Sequence, residues 1–273
     1  MVLAKKAVVF GVGAMGTALL KGWIASKSLA PSRVTVLDVD ADKCRKTASA
    51  LKVKTGRDVA SALKGAGLVL LAVKPQQMGD LLSTAGPSFP AKALVVSIAA
   101  GVPTSRIESF LPQGCPVVRV MPNTPALLGA GMAAVAPGSR SKPAQLRQVI
   151  ALFSAVGRAV AVSEDQMDLV TAVSGSGPAY IFHMVEAMVE AAVKGGLSPT
   201  TAHLLVAQTV LGAARMVLES GKTPEELRVQ VTSPGGTTQA ALERMAQGGF
   251  KGTVAAAIEA ATLRGAQLRG GVR

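Results

Sequence analysis

Two short stretches of this sequence have the residue types and spacing to hold anions. The first is Gly11-Val-Gly-Ala-Met-Gly16. Gly11 permits a tight turn, Gly13 lets the backbone approach a bound group, and Gly16 allows a helix to lie against a strand; Val12, Ala14 and Met15 complete the loop. It follows the apolar run Ala7–Phe10 and opens the helical spacing of Met15–Ser26, so its free N–H groups face a ligand at a helix N-terminus. That context predicts a seat for the pyrophosphate of a nicotinamide dinucleotide. Asp38 ends the next apolar run, twenty-two residues beyond Gly16. An acid there accepts hydrogen bonds from an adenosine ribose and opposes a 2′-phosphate, which favours NADH over NADPH. Asp38, Asp40 and Asp42 also read as caps for the following helix.

The second stretch is Ser233-Pro-Gly-Gly-Thr-Thr238. Pro234, Gly235 and Gly236 form a tight loop directly before a helix, which turns unpaired N–H groups and the positive end of the helix dipole outward. On this reasoning alone Thr238 reads equally well as a ligand-binding hydroxyl or as a plain N-cap.

These loops need a scaffold. Ala7–Phe10, Arg33–Asp38, Leu68–Val73, Leu94–Ala100 and Val117–Met121 are apolar runs of strand length. Helical stretches such as Met15–Ser26 and Ala41–Leu51 lie between them. Two further strands, Gly131–Ala136 and Arg158–Val162, flank a helix from Lys142 to Val156. Apolar strands alternating with helices imply an α/β, Rossmann-like, mostly parallel sheet with helices on both faces. From about Glu164 the pattern is helical throughout. Ile181, Met184, Val185, Met188, Val189 and Ala192 share one helix face, and His183, Glu186, Glu190 and Lys194 the other. Ser198-Pro199 opens a helix that Gly221 ends, and Thr223, Pro224 and Glu226 start a short one with a capping box. Thr237–Gln247 and about Thr253–Leu268 follow, each closed by a Gly-Gly pair. The division expected is a dinucleotide-binding domain over 1–163 and an all-α domain over 164–273. The second would expose long apolar faces when alone, so it is expected to dimerise.

Composition narrows the function classes. The 273 residues are 49% hydrophobic and 16% charged, an ordinary globular profile. No run approaches the 18 or so apolar residues of a membrane span, and the first residues do not read as a signal peptide. Cys44 and Cys115 lack metal-ligand spacing and, with two histidines, His183 and His203, offer no metal site; a reducing cytoplasm is the expectation. Net charge is +13, and residues 1–65 set twelve Lys or Arg against four acids. Such charge attracts anions, but at 3% aromatic the chain lacks stacking platforms for nucleic acid. Neither nucleic acid nor membrane is an expected partner.

Further segments carry a family resemblance. They are Ala72-Val-Lys-Pro75, Ser97-Ile-Ala-Ala-Gly101, Met121-Pro-Asn-Thr-Pro125, Val173-Ser-Gly-Ser-Gly-Pro-Ala-Tyr180 and Thr232-Ser-Pro-Gly-Gly-Thr-Thr238. In this order and spacing, from about Lys5 to Leu268, the chain resembles the pyrroline-5-carboxylate reductases. The resemblance implies hydride transfer from NADPH or NADH, commonly NADPH in that family, to the C=N bond of 1-pyrroline-5-carboxylate, giving L-proline. It implies that Ser233, Gly235, Gly236 and Thr237 hold the substrate carboxylate, with Gln230, Val231 and Glu164 nearby and Thr238 beside the imine nitrogen as the catalytic hydroxyl. It places Val73, Lys74, Pro75, Ala99, Ala100 and Asn123 along the cofactor. It also implies homodimers through the C-terminal helices, assembled into decamers. An imine protonates more readily than a ketone oxygen, which suits a site without an evident His or Lys. A 3-hydroxyacid dehydrogenase would need a catalytic lysine within Pro178–Glu190, and none is there. A non-catalytic dinucleotide sensor would not need the loop at Ser233–Thr238.

Overall fold

Runs of Val, Leu and Ala, too short for helices and bounded by Gly, Pro and Asp, become the strands of one sheet. The structure, a computed structural model, describes residues 6–271. Strand β1 (Lys6–Phe10) leads into α1 (Ala14–Ala25), followed by β2 (Val34–Leu37), α2 (Ala41–Leu51), β3 (Lys54–Thr55), α3 (Val59–Leu63) and β4 (Ala66–Leu71). Then come α4 (Pro75–Ala85), β5 (Leu94–Ser97), α5 (Thr104–Phe110), β6 (Val117–Pro122), β7 (Gly131–Pro137), α6 (Pro143–Phe153) and β8 (Gly157–Ala161). The sheet order is β3-β2-β1-β4-β5-β6-β7-β8. All neighbours pair in parallel except β6 and β7, which are antiparallel.

Alternation along β1 divides the core. Ala7 and Val9 face Leu19, Leu20 and Trp23 of α1 and Val149, Leu152 and Phe153 of α6. Val8 and Phe10 face Leu63 of α3, Met78 and Leu82 of α4 and Ile107 of α5. Trp23 meets Phe153 edge to face at 5.5 Å. Each of these fully buried large side chains contributes about 1.5–3 kcal/mol by leaving water, so both helical layers are fastened to the sheet that presents the loops.

The helical half consists of α7 (Met167–Val170) with a π-turn over Thr171–Gly175, then α8 (Gly177–Lys194), α9 (Pro199–Glu219), α10 (Pro224–Gln230), α11 (Thr237–Gln247) and α12 (Phe250–Gly271). Compact packing divides the chain later than composition suggests. One unit runs to Ser176 and includes the chain again from Glu259; the other is Gly177–Ile258. The first helical turns after residue 163 stay with the sheet unit because Met167 is buried with Ala134 and Ala136 of β7. In the second unit α9 buries only Ala202 and Val206, while Leu204, Leu205, Leu211 and Met216 are exposed.

Several sequence expectations need correction. Strand β5 stops at Ser97 and not Ala100, and β4 stops at Leu71 and not Val73, so the residues after them are loops. The two-residue edge strand β3 was unforeseen, since Lys54 and Thr55 are both exposed and carry no apolar signal. The last helix starts at Phe250 and not Thr253, and Gly270-Gly271 are its last two described residues. Contrary to the expectation of no span-length segment, α9 is long and apolar enough to cross a membrane by length and composition.

Candidate functional site

In the sheet unit the strand order reverses direction between β1 and β4, with β2 beyond β1 and β5 beyond β4. Open parallel sheets bind ligands in the crevice outside the strand C-termini at such a point. The glycine loop follows β1 and residues 72–74 follow β4. Gly11 has a φ of +94°, and a Cβ there would sit 2.5 Å from the Ala72 carbonyl oxygen, so only glycine fits. A Cβ on Gly16 would approach the Gly11 carbonyl oxygen to 2.3 Å, whereas one on Gly13 would meet nothing within 4 Å. The three glycines therefore divide as the spacing suggests: two shape the loop, and Gly13 faces open space.

Gly13 is the N-cap of α1 and supplies no side chain to it. The first helical N–H with a carbonyl partner is that of Thr17, bonded to Gly13 at 2.9 Å. The N–H groups of Ala14, Met15 and Gly16 precede it and are available to an anion. Val12 is buried and Met15 packs against the core, so both act through their backbone. A cavity of about 330 Å³ beside the loop is lined by Val12, Gly13, Ala14, Thr17, Lys21, Lys43 and Leu127, among others. Lys21, Lys43 and Leu127 were not picked out from the sequence. A pyrophosphate fits this cradle: open space at Gly13, free N–H donors and two lysines.

Asp38 stands against the loop. Its Oδ2 accepts the Val12 N–H at 2.7 Å, and its Oδ1 accepts the Asp40 N–H at 3.0 Å. The capping role belongs to Asp40, whose Oδ1 accepts the Lys43 N–H at 3.0 Å. That bond holds the Asp40 carboxyl below the usual range.

After β4, Val73 is half-buried, Lys74 is exposed, and Pro75 starts α4. Ala99 is buried in the core beside α4 and α5, which leaves half-buried Ala100 as the small residue at the surface. The Asn123 amide is committed within the chain. Its Nδ2 donates to the Ser174 carbonyl at 3.1 Å, and its Oδ1 accepts the Met132 N–H at 2.8 Å. Nδ2 also reaches the Ser174 hydroxyl at 3.5 Å, so Asn123 braces the π-turn.

Glu164 is also committed. Its Oε1 accepts the Thr104 N–H at 2.6 Å and its Oε2 the Thr104 hydroxyl at 2.5 Å, with Arg119 Nη1 at 3.6 Å. Both Glu164 oxygens thus clamp Thr104 and face Arg119 in this unit, and its remaining acceptor sites border a cavity lined also by Ser163 and Gln166. Arg119 is 2% exposed, and burial pulls its guanidinium below the ordinary value while Glu164 and Asp168 push it back up. The charge within the apolar run Val117-Val-Arg-Val-Met121 is the sequence signal for this cluster.

In the other unit, Thr223 caps α10 and accepts the Glu226 N–H at 3.2 Å, while Glu226 returns a bond to the Thr223 N–H. Gln230 and Val231, at the end of α10, are exposed. Gly235 has a φ of +70° and makes the turn into α11, whose N-cap is Gly236. The Gly235 N–H donates to Gln239 Oε1 at 2.7 Å and the Gly236 N–H to the Ser233 carbonyl at 3.0 Å. Both glycine donors expected to hold an anion are therefore spent inside the loop. Pairing within α11 begins with the Ala240 N–H to Gly236 at 3.2 Å, so the free donors are those of Thr237, Thr238 and Gln239. Thr238, half-buried in the first turn of α11, is not the N-cap.

Comparison with known proteins finds relatives that cover nearly the whole chain. Residues 164–268 match the family model for pyrroline-5-carboxylate reductase dimerisation, and residues 6–101 match that of the coenzyme F420-dependent NADP oxidoreductases. A pyrroline-5-carboxylate reductase of Methanosarcina acetivorans is 40% identical, with 94% of this chain and 96% of that one covered. The Escherichia coli enzyme of that name is 38% identical over 95% and 96%. The solved Coxiella burnetii pyrroline-5-carboxylate reductase superposes with a TM-score of 0.88 at 37% identity, covering 97% and 98%. A Plasmodium falciparum pyrroline carboxylate reductase with NADP bound also gives 0.88, at 28% identity over 98% and 100%.

Proposed function

Because this chain belongs to the pyrroline-5-carboxylate reductase family, we propose that it reduces the C=N bond of 1-pyrroline-5-carboxylate to L-proline. The observation that carries this reading is the presence, in one chain, of two anion cradles of different kinds. One is the glycine loop before α1, and the other is the glycine-capped start of α11. A bound NAD(P)H supplies hydride to the imine carbon.

The chain's own residues bind and orient. Ala14, Met15 and Gly16 offer N–H groups to the pyrophosphate, Asp38 meets the adenosine ribose, and the loops at Val73–Pro75 and Ala99–Ala100 border the cofactor. At α11 the N–H groups of Thr237, Thr238 and Gln239, with the positive end of the helix dipole, take the substrate carboxylate. Ser233, Gly235 and Gly236 shape that loop, and Gln230 and Val231 flank it. The Thr238 hydroxyl donates a hydrogen bond at the imine nitrogen. No strongly tuned acid is required, since the imine nitrogen is basic enough to take its proton with little help.

The exposed apolar faces of α8 and α9 fall in the segment that matches the dimerisation family model, and they form the homodimer interface. We further propose that the dimers assemble into a decamer. The free, buried thiols of Cys44 and Cys115 support a cytoplasmic setting. The test is loss of NAD(P)H absorbance on adding pyrroline-5-carboxylate to the purified chain, with L-proline as product. A folded protein that turns over with neither NADH nor NADPH would refute the reading.

A further inference from the structure

We infer that Asp38 makes this enzyme select NADH over NADPH; the inference rests on the reductase reading above. Two backbone N–H groups fix the carboxylate, that of Val12 at 2.7 Å and that of Asp40 at 3.0 Å. It cannot swing aside without releasing the glycine loop. A carboxylate has about four acceptor sites, so two remain for the vicinal hydroxyls of a ribose. A 2′-phosphate offers no hydroxyl there and brings about −1.5 to −2 of charge against a fixed negative group.

An enzyme that takes NADPH needs a cation at this turn to offset that charge. Val39, Asp40, Ala41 and Asp42 follow Asp38 and provide none. The next bases along the chain are each paired with an acid of their own helix start, while exposed Arg57, just beyond the neighbouring strand β3, is a base that Asp38 itself would offset. Lys43 Nζ lies 4.0 Å from Asp40 Oδ2, and Arg45 is bonded to Asp42. From Asp38 to Arg45 three acids face two bases, a net charge of −1. Lys21 and Lys43 line the cavity beside Gly13, near where the pyrophosphate would lie. NADH and NADPH share that group, so these lysines favour both alike.

The competing role for Asp38 is that of a brace for the glycine loop alone, and one substitution separates the two. Asp38→Asn keeps an oxygen that can accept the Val12 N–H and removes the charge. The experiment is the kcat/KM of wild type and variant with NADH and with NADPH at saturating pyrroline-5-carboxylate. Fluorescence titration of each cofactor gives binding without turnover. Wild type should favour NADH by about tenfold or more, the scale set by one charge contact near a surface. Asp38→Asn should shrink that ratio by about tenfold, chiefly by lowering the KM and Kd for NADPH. A wild-type preference for NADPH overturns the inference. So does an Asp38→Asn variant that loses both cofactors equally, because that is the mark of a brace. If neither cofactor is oxidised, the reductase reading fails, and the two Kd values still decide the role of Asp38.

Discussion

The Asp168 carboxylate joins two parts of the sheet unit that are far apart in sequence. Its Oδ2 lies 3.0 Å from Arg269 Nη2 on α12, and its Oδ1 lies 3.9 Å from Arg119 Nη2 on β6. Asp168 and Arg119 are both buried, and Glu164 provides the second carboxylate beside Arg119. A buried pair contributes little net stability over an apolar replacement, but breaking one side strands a charge. Asp168→Ala should therefore cost about 3–5 kcal/mol, read as a lower urea midpoint at fixed protein concentration. The paired replacement Arg119→Met with Asp168→Leu, made together with Glu164→Gln so that no carboxylate is left facing position 119, should recover most of that loss. Equal destabilisation of the single and paired variants would show that packing, and not charge, makes the contact important.

The glycine loop allows two substitutions of the same size to act oppositely. Gly16→Ala places a Cβ 2.3 Å from the Gly11 carbonyl oxygen, so α1 must shift and folding suffers. Gly13→Ala meets nothing within 4 Å, and its φ of −66° suits alanine. Its expected effect on stability is the loss of a glycine N-cap, about 1 kcal/mol or less. Cofactor affinity should nevertheless fall by about tenfold or more, because the methyl occupies space that the pyrophosphate needs. Melting temperature and cofactor Kd measured side by side check the pair. Unchanged affinity in Gly13→Ala would move the pyrophosphate away from this loop.

Much of the sheet could be read from residue pattern, because a strand covered on both faces is an unbroken apolar run and a parallel connection has helix length. Thus β1, β2, β4, β5 and β6 were placed within about two residues at most ends, while the direction of β7 was not foreseen, since pairing sense leaves no mark on composition. The site residues divide in the same way. Gly11 and Gly16 were legible because steric exclusion of a Cβ is a local property of the turn. Asp40 and Asp38 could not be separated as cap and loop partner, because both are acids at the end of one strand. The structural bonds of Glu164 and Asn123 left no sign in the sequence, since their partners, Thr104 and Ser174, lie 60 and 51 residues away. Contacts of that range are set by packing and not by spacing.

Three helix starts depend on ionised acids. Asp40, Asp58 and Glu226 are held below their ordinary values, first by backbone N–H bonds involving Lys43, Ser61 and Thr223 respectively. A carboxyl lowered on folding adds stability that is fully present above its unfolded value and is lost as pH falls through the folded one. Unfolded values here are 3.8 for the aspartates and 4.5 for the glutamate. Thermal melts should therefore show the contribution of these groups complete and constant between neutrality and about pH 5, then a decline below about pH 4. Asp58→Asn keeps a capping oxygen without the charge and should flatten that decline slightly. A melting temperature that rises on acidification below pH 4 would contradict the assignment.

Thr238 is the residue on which the chemistry can be tested most directly. If it were a helix cap, Thr238→Ala would lower stability and activity together. The N-cap is Gly236, however, which has no side chain to replace, and Thr238 stands two residues further along in the first turn of α11. Removing its hydroxyl should leave the melting temperature nearly unchanged. If that hydroxyl meets the imine nitrogen, kcat should fall by about 100-fold, the scale for a well-placed donor to developing charge. Cofactor Kd should stay within about twofold, because the dinucleotide cradle belongs to β1 and α1. Thr238→Ser restores the donor and should regain most of the rate. A variant that melts earlier, or that binds cofactor as weakly as it turns over, would assign Thr238 to structure; an unchanged kcat would remove it from the reaction altogether.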